Sequence, residues 1–278
     1  MKQKSKIFLC ALLGFSLAAC GGGGGGGGGG DDPGGAPGAR KLLSKIVKDG
    51  KEIASYRYDS FNRVTSRTED NGVMPRSVQT IEYEGNDPRP SLVKNEGGTA
   101  ATYPYTRYSY GEASYRGALT KYYQTQDLDN NRNPVFQGYV VRHYLNSVDR
   151  VFAVGVPGAG DFAELYSYDS RGNLTKVTVA YTGWGNDETW EFTYDNMKGA
   201  ISETATPFWW WSGTMGPNNP TSVTYTERTV GITTGKAHRT FSYTYDSAGY
   251  PVKCTGSGDA IAGAYGSAEG TFEYILAH

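Results

Sequence analysis

The fold of this chain is decided by one stretch of its sequence, Tyr166-Ser167-Tyr168-Asp169-Ser170-Arg171-Gly172-Asn173-Leu174-Thr175. Aromatic and small polar side chains alternate up to Asp169, which is the period-two pattern of a strand with one buried face. The carboxylate of Asp169 can cap a turn, and Gly172 can supply the positive φ that a tight turn needs. Alternation resumes at Leu174. The stretch therefore predicts two antiparallel strands joined by a tight turn.

The Tyr-Asp pair is repeated along the chain. It ends an alternating run at four places, and a Gly or Asn follows each aspartate by three or four residues: Tyr58-Asp59, Tyr168-Asp169, Tyr194-Asp195 and Tyr245-Asp246. Weaker copies extend the series to nine tyrosines: Tyr58, Tyr83, Tyr110, Tyr144, Tyr168, Tyr194, Tyr225, Tyr245 and Tyr274. Their mean spacing of about 27 residues fits two strands and two turns, so nine units predict roughly 16 to 18 strands.

The segment from Arg40 to His278 is predicted to be a single all-β domain. Helical spacing occurs only from Lys41 to Val47, and that segment fits a strand equally well. The 22 tyrosines suit half-buried strands. We expect an antiparallel up-and-down meander of repeated hairpins, curled into a barrel-like sheet that hides its edge strands.

Two resemblances support this fold. The stretch from Tyr166 to Thr175 resembles the YD repeat of Rhs-type proteins, whose repeat is shorter and whose chains are far longer. The whole plan is similar to an uncharacterised family of Bacteroidetes lipoproteins with a porin-like fold, in which an opening like Lys41-Leu42-Leu43-Ser44-Lys45-Ile46 leads into the repeated units. This second resemblance covers residues 40–278. It implies a porin-like fold and an envelope location, and it brings no known active site.

The strand pattern predicts that the barrel-like sheet is soluble rather than membrane-spanning. Strands that cross a membrane carry an outward apolar band, with aromatic residues confined to two girdles. Here aromatic residues occur along the strands, and Thr, Ser, Arg and Glu occupy the other face. We therefore expect the aromatic face to point inward and the polar face to contact water.

The first 39 residues are typical of an exported lipoprotein. A basic start leads into an apolar run from Ile7 to Ala18, which ends in Leu17-Ala18-Ala19-Cys20. The run is shorter than the roughly 20 residues that a spanning helix needs, so it predicts a signal peptide with a lipobox. The predicted organisation is a signal peptide at 1–19, a lipidated Cys20 with a glycine-rich tether at 20–39, and the β-domain at 40–278.

The tether and the anchor predict the location. Residues 21–39 contain thirteen glycines, and such a coil has a root-mean-square reach of roughly 25 Å. The Asp31-Asp32 pair resembles surface-export signals of Bacteroidetes lipoproteins, although it lies far from Cys20. We expect a protein held to the outer membrane through acyl chains, at the cell surface or on the periplasmic face.

Charge and cysteine content exclude several classes of function. Removing residues 1–19 takes away three lysines, which leaves 24 basic and 28 acidic side chains, a net charge of −4. That balance argues against nucleic acid as a partner. Cys254 is the only cysteine outside the signal peptide and the lipid site. No internal disulfide is expected, and Cys254 is interpreted as a half-buried strand residue and not as a nucleophile.

One segment carries the predicted ligand site. Phe208-Trp209-Trp210-Trp211 lies between Pro207 and a stretch rich in Gly, Pro and Asn, which marks a long loop. Four adjacent aromatics cannot share one strand face, and Trp184 adds a second tryptophan in a turn. These five side chains could stack on sugar rings. The alternative is a loop that folds back and plugs one end of the curled sheet.

Metal sites are not predicted. The segment Asp127-Leu128-Asp129-Asn130-Asn131 spaces its oxygen ligands as a calcium loop does, but Arg132 and Gly138 replace the Gly and Glu that an EF-hand requires. A polar hairpin turn is the preferred interpretation. His143 and His238 are far apart in sequence and have no second His or Cys nearby, so neither zinc nor a His-based triad is expected.

Catalysis is not expected either. No nucleophile elbow, phosphate loop or dinucleotide fingerprint occurs. A carboxylate pair for glycoside hydrolysis could be chosen from five acids in the middle of the chain, but the sequence cannot separate such a pair from solvated strand faces. These acids are Asp161, Glu164, Asp187, Glu188 and Glu191.

The function expected from the sequence is a non-enzymatic binding module for glycan or peptide, without cofactor or metal. The alternative is a structural protein that docks to another envelope component. A glycoside hydrolase is a distant third.

Overall fold

The computed structural model describes residues 39–70, 76–97, 104–115, 118–135, 141–155, 162–181, 185–207, 216–260 and 269–278. Within these ranges every regular element is a β-strand. The sixteen strands are β1 (Lys41–Lys48), β2 (Lys51–Tyr58), β3 (Val64–Glu69), β4 (Ser77–Tyr83), β5 (Pro90–Gly97), β6 (Tyr105–Tyr115), β7 (Ala118–Leu128), β8 (Arg142–Leu145), β9 (Val151–Gly155), β10 (Phe162–Tyr168), β11 (Leu174–Tyr181), β12 (Asn186–Tyr194), β13 (Pro220–Thr229), β14 (Ile232–Tyr245), β15 (Pro251–Gly258) and β16 (Gly270–Leu276).

The strands form a closed antiparallel barrel. Each strand pairs with its neighbours in sequence, and β16 pairs with β1 from Leu276 opposite Lys41 to Thr271 opposite Val47. The predicted all-β, up-and-down meander is confirmed, with sixteen strands in the described part. The count of nine repeat units is wrong, because the barrel holds eight hairpins. Tyr225 does not end a unit; it lies in the middle of β13.

The up-and-down path gives the barrel two distinct ends. Links that follow even-numbered strands lie at the end where β1 starts and β16 finishes, which we call the turn end. Links that follow odd-numbered strands lie at the opposite end, which we call the loop end.

One turn geometry recurs at both ends. In each case an Asp or Asn side-chain oxygen accepts the amide N–H groups of the second and fourth residues after it, at 2.8–3.1 Å. The third residue takes a positive φ. The predicted turns at Asp59, Asp169 and Asp246 have this form. The turn at Asn146, which the sequence did not single out, has the same form.

A second contact repeats along the barrel wall. Seven of the eight even-numbered strands carry a tyrosine whose hydroxyl donates to a backbone carbonyl near the start of the preceding odd-numbered strand, at 2.6–2.9 Å. The donors are Tyr58, Tyr83, Tyr110, Tyr168, Tyr194, Tyr243 and Tyr274. Burial raises the pKa of Tyr83 to about 12, so this phenol is a permanent donor at neutral pH. On β14 the donor is Tyr243, while the predicted marker Tyr245 ends the strand before the Asp246 turn.

The apolar core fills the half of the barrel near the turn end. Trp190, Phe192, Val223 and Phe241 pack there with the inward tyrosines. Cys254 is 2% exposed in the same cluster, so it is fully buried and not half-buried as predicted.

The outward strand faces carry polar and charged side chains. Ion pairs lie along them, as at Lys45–Glu273 (2.9 Å) and Lys176–Glu191 (3.6 Å). Among the described residues, no helix has the length and apolar character to cross a membrane.

Candidate functional site

The interior of the barrel changes character between its two ends. Toward the loop end the inward positions become polar, and side-chain hydrogen bonds join four adjacent strands there. Gln79 donates to Asn95 (3.0 Å), the Asn95 amide donates to Thr106 (3.4 Å), and Thr106 donates to the carboxylate of Asp127 (3.1 Å). This part of the polar interior is internally satisfied.

Ion pairs satisfy a second part of the polar interior. Arg67 binds Glu69 along β3, and the Nε atom of Arg239 donates to Glu269 at 2.9 Å, with Lys48 at 3.7 Å from the same carboxylate. A side chain at position 256 would collide with the Arg239–Glu269 pair, because its Cβ would lie 2.2 Å from the Glu269 carboxylate. Gly256 therefore makes the room that this pair occupies.

Three carboxylates form the remaining part. On β10, Glu164 lies opposite Val179 of β11. Val179 lies opposite Glu188 of β12, and Glu188 lies opposite Glu227 of β13. The three glutamates therefore share the inward face of neighbouring strands. Within the described ranges no Lys or Arg side chain forms an ion pair with any of them. We call Glu164, Glu188 and Glu227 the glutamate sector.

Burial perturbs the glutamate sector. Glu164 is 5% exposed, and its carboxylate accepts a hydrogen bond from the Tyr166 hydroxyl at 2.5 Å. Desolvation raises the pKa of the Glu164 carboxyl, and the hydrogen bond from Tyr166 offsets only part of that shift. Burial also raises the pKa of Glu188, and the nearby charges of Glu227 and Glu164 add to the rise. The sector can accept protons or hydrogen bonds from a donor-rich ligand.

The structure separates the five acids considered for hydrolysis. Glu164 and Glu188 lie on the inward face. Asp187 and Glu191 alternate with Glu188 and lie on the outward face, where Glu191 pairs with Lys176. Asp161 lies outside the described residues. Glu227 was not among the candidates, although its alternation with Tyr225 places it on the same face.

The two histidines do not meet. His143 stacks on Tyr123 with a ring-centre distance of 4.3 Å, and burial lowers its pKa to about 4. It is therefore a neutral packing group. The Nδ1 atom of His238 lies 2.9 Å from the Thr224 hydroxyl on the outward face. In the described part of the chain, no group of three His, Cys, Asp or Glu side chains is arranged to hold a metal.

The segment from Asp127 to Asn131 forms the polar hairpin that was preferred over a calcium loop. One oxygen of Asp129 accepts the amide N–H groups of Asn131 and Asn133, both at 2.8 Å. These two hydrogen bonds lower the pKa of the Asp129 carboxyl. Asp127 is buried and bound to Thr106, so the two carboxylates point to different surroundings.

A long insertion interrupts one turn at the turn end. The side-chain oxygen of Asp195 accepts the amide N–H of Asn219 at 3.1 Å, and the Asp195 N–H donates to the Asn219 carbonyl at 3.1 Å. Asn219 thus makes the contacts that the fourth residue after the aspartate makes in the other turns. Twenty-three residues separate the pair, where three residues suffice in the other turns.

The described parts of the insertion cross the turn end. Ile201 is 2% exposed and belongs to the apolar core. The hydroxyl of Thr206 accepts the Val64 N–H at 2.9 Å, and the Ala205 N–H donates to the Asn62 carbonyl at 3.0 Å. The insertion therefore reaches from the β12–β13 turn to the β2–β3 turn.

Polar contacts fix the insertion to the start of β1 and to the Asp246 turn. Glu203 pairs with Arg40 at 2.7 Å and accepts a hydrogen bond from the Tyr250 hydroxyl at 3.0 Å. Lys198 donates to the same hydroxyl at 3.1 Å. Tyr250 is completely buried, so the Asp246 turn, the insertion and the start of β1 pack together at this point.

The predicted ligand-site residues Trp184, Phe208, Trp209, Trp210 and Trp211 lie outside the described residues, as does the predicted lipid site Cys20. Their roles stay predictions. The insertion is described on both sides of the aromatic quartet, where Thr206 and Gly216 are both buried.

Comparison with known proteins identifies structural neighbours only. No protein-family model matches the chain, and no curated protein matches it. The structure is similar to a porin-like protein from Bacteroides vulgatus, at 12% identity and a TM-score of 0.37, over 81% of this chain and 95% of that one. It is also similar to a porin-like protein from Bacteroides uniformis, at 14% identity and a TM-score of 0.37, over 85% and 95%. Both neighbours are described as porin-like, the term that the sequence resemblance used. Membership of a lipoprotein family and of the YD-repeat proteins stays a prediction.

Proposed function

We propose that this protein is a lipid-anchored envelope protein whose barrel binds a ligand rich in N–H or O–H donors, a glycan or a basic peptide, without catalysing a reaction. The observation that carries the proposal is the glutamate sector. Three inward carboxylates lie together there, without a basic partner among the described residues.

The energetics of buried carboxylates support a ligand. Glu164 is buried and hydrogen-bonded to Tyr166, whereas Glu188 and Glu227 are half-buried. A charge withdrawn from water is costly unless it is paired or hydrogen-bonded, and the charged groups of the Arg67–Glu69 and Arg239–Glu269 ion pairs in the polar interior have such partners. A ligand that donates hydrogen bonds to Glu188 and Glu227 would supply the partners that these two carboxylates lack among the described residues. Since the insertion crosses the turn end, we place the entry at the loop end.

The proposed location follows from the predicted lipobox. Acyl chains on Cys20 would hold the protein to the outer membrane, and the polar outward strand faces support a barrel that stands in water and does not span the bilayer. Cys20→Ala should release the protein from the membrane fraction and abolish metabolic palmitate labelling. An unlabelled variant that stays with the membrane would contradict the anchor.

Binding can be tested with a matched pair of substitutions on one strand. The mature chain is applied to a glycan array and to a library of Lys-containing peptides. Glu188→Gln should weaken the best binder by about tenfold or more, since a hydrogen bond to a charged group is worth roughly 1.5–3 kcal/mol. Glu191→Gln on the outward face is the control and should bind as the wild type does. Equal binding by both variants, or no binding to either collection, would contradict the proposal.

A second candidate function is docking to another envelope protein, and the tip of the β13–β14 hairpin favours it. Val230 and Ile232 are 76% and 71% exposed there, and Val230 has a φ of 52°. A β-branched residue is strained in that conformation. Ile232→Asp should abolish crosslinking of the tip to such a partner, whereas Glu188→Gln should not change it.

A further inference from the structure

Exposed apolar side chains are concentrated at the turn end. Leu119, Val148 and Phe61 are 75%, 68% and 51% exposed, and Met197 and Leu276 are exposed as well. They come from the β6–β7 tip, the β8–β9 turn, the β2–β3 turn, the insertion and the end of β16. Different links thus place five apolar side chains around one end of the barrel. We call these five the apolar rim.

Side-chain contacts join the links that carry the rim. Lys121 next to the β6–β7 tip lies 3.3 Å from Asp149 in the β8–β9 turn. Arg171 of the β10–β11 turn donates to the Asp195 carbonyl at 2.8 Å. Asn62, beside Phe61, accepts the His278 N–H at 2.9 Å. These bonds hold neighbouring links of the turn end against one another, so the rim side chains stand on links that are joined.

The chain enters the barrel at the same end. Arg40 precedes β1, its carbonyl accepts the Ala277 N–H at 2.9 Å, and its side chain is 59% exposed. The predicted tether therefore joins the described part of the chain at the apolar rim. The opposite end carries only Val230 and Ile232 among the large apolar side chains exposed in the described residues.

We infer that the apolar rim docks on the surface of the bilayer that holds the anchor, with its side chains at the level of the lipid headgroups. This inference rests on the lipid anchor proposed above. The predicted tether favours this occupant, because it joins the described chain beside the rim and its reach of roughly 25 Å lets this end of the barrel touch the membrane.

The spacing of the rim also fits a lipid surface. Separate apolar side chains on separate turns form no continuous patch of the kind that a protein partner covers. A fluid interface accepts such side chains individually, at a depth of about 5–10 Å. The basic groups between them, Arg40, Arg171 and Lys198, are paired with Glu203 and Asp169, so the contact with lipid is carried by the apolar side chains.

The test measures contact with lipid at both ends of the acylated protein. Leu119→Cys and Phe61→Cys place a fluorescent label on the rim, and Ile232→Cys places it at an equally exposed site on the other end. Cys254 is buried and Cys20 is acylated, so labelling is confined to the new position. The protein is reconstituted in vesicles of phosphatidylethanolamine and phosphatidylglycerol that carry a nitroxide either near the headgroup or at the chain terminus.

The expected result is strong quenching of both rim labels by the shallow nitroxide, weak quenching by the deep one, and none of the label at position 232. Equal and weak quenching at all three positions, with the protein still bound to vesicles, would overturn the docking but leave the anchor intact. Protein that does not remain with the vesicles would instead contradict the anchor. Rim labels that are shielded without vesicles, together with a dimer in solution, would assign the rim to a second copy and overturn the inference.

Discussion

Asp195 and Asn219 form one tight turn although the chain between them is long enough to cross the end of the barrel. The aspartate accepts the backbone N–H of Asn219 and also its side-chain amide, at 3.1 and 3.2 Å. The insertion is therefore closed at its base by the same contact that closes the other turns. The contact between Asp195 and Asn219 therefore holds the two ends of the insertion together across the 23 residues that separate them.

The base of the insertion should be sensitive to the loss of this contact. Asp195→Ala removes the acceptor for Met197, Asn219 and the Tyr245 hydroxyl, and we expect a loss of about 2–3 kcal/mol, because several donors become unsatisfied. Urea unfolding measures it. Asp129→Ala is the control, since it removes the same turn contact without an insertion and should cost clearly less. Equal losses for both variants would contradict a special role for Asp195.

The repeated tyrosine contact predicts that removing one hydroxyl group lowers stability at an inward tyrosine but not at an outward one. Tyr83→Phe removes the hydroxyl that donates to the Val64 carbonyl at 2.7 Å and lies 3.1 Å from Thr206. We expect a loss of about 1–2 kcal/mol. Tyr122→Phe on the outward face should change stability by less than about 0.5 kcal/mol. A neutral Tyr83→Phe would show that the contact is incidental.

Glu164 predicts that stability decreases as the pH rises through the titration of its carboxyl group. The pKa of Glu164 is raised in the folded state, so the folded protein binds more protons than the unfolded chain above pH 4.5. Stability is therefore lost as the pH rises from 4.5 through the raised pKa. Glu164→Gln, which keeps an acceptor for Tyr166, should be more stable than the wild type at pH 8, and the difference should shrink toward pH 4.5. A pH-independent difference would contradict this account.

The turn aspartates predict the opposite behaviour in acid. Burial alone would raise the pKa values of Asp59, Asp169 and Asp246, but hydrogen bonds with neighbouring side chains and with the turn backbone, together with nearby basic groups, outweigh it, so that all three pKa values are lowered. Their contribution is complete above pH 3.8 and is lost as the pH falls through the lowered values. Thermal melting should show a steep loss of stability in that range. Asp169→Asn, which keeps an acceptor oxygen, should make the loss less steep.

Val230 predicts a stabilising substitution. Asn is favoured at the first position of a two-residue hairpin turn with positive φ, and Val230 precedes Gly231 in such a turn. Val230→Asn should raise the unfolding free energy by about 1 kcal/mol or more. Thr229→Asn in the adjoining strand should give no gain. An unchanged melting temperature for Val230→Asn would show that the backbone there carries no strain.

The turns at Asp59, Asp169 and Asp246 could be predicted because all of their determinants lie within five consecutive residues. Asn146 was missed because an amide replaces the carboxylate and Asp149, not glycine, takes the positive φ. Tyr225 was misassigned because β13 and β14 are long, and a mean spacing cannot distinguish the end of a strand from its middle. The pairing of Asp195 with Asn219 has no local signal, since only the closed barrel brings them together.

The glutamate sector could be predicted only in part. Alternation from Trp190 places Glu188 on the inward face, but choosing Glu164 and Glu227 as its companions requires the pairing of β10 to β13. That pairing is a property of the whole sheet. The sequence therefore named Glu164 and Glu188 among its five candidates, but it did not separate them from the outward acids and it missed Glu227.

Closure between the first and last strands makes the carboxyl-terminal residues decisive for the entire sheet. Until Gly270–Leu276 is in place, β1 and β15 each expose a row of unpaired backbone groups, and such edges recruit other chains. No intermediate without β16 can be a closed barrel, because the seven residues of β16 pair with β1 and β15 and cover both edges at the same time. A chain that loses them is expected to polymerise through β1 and β15, whereas each of the sixteen described strands of the intact barrel is paired on both sides.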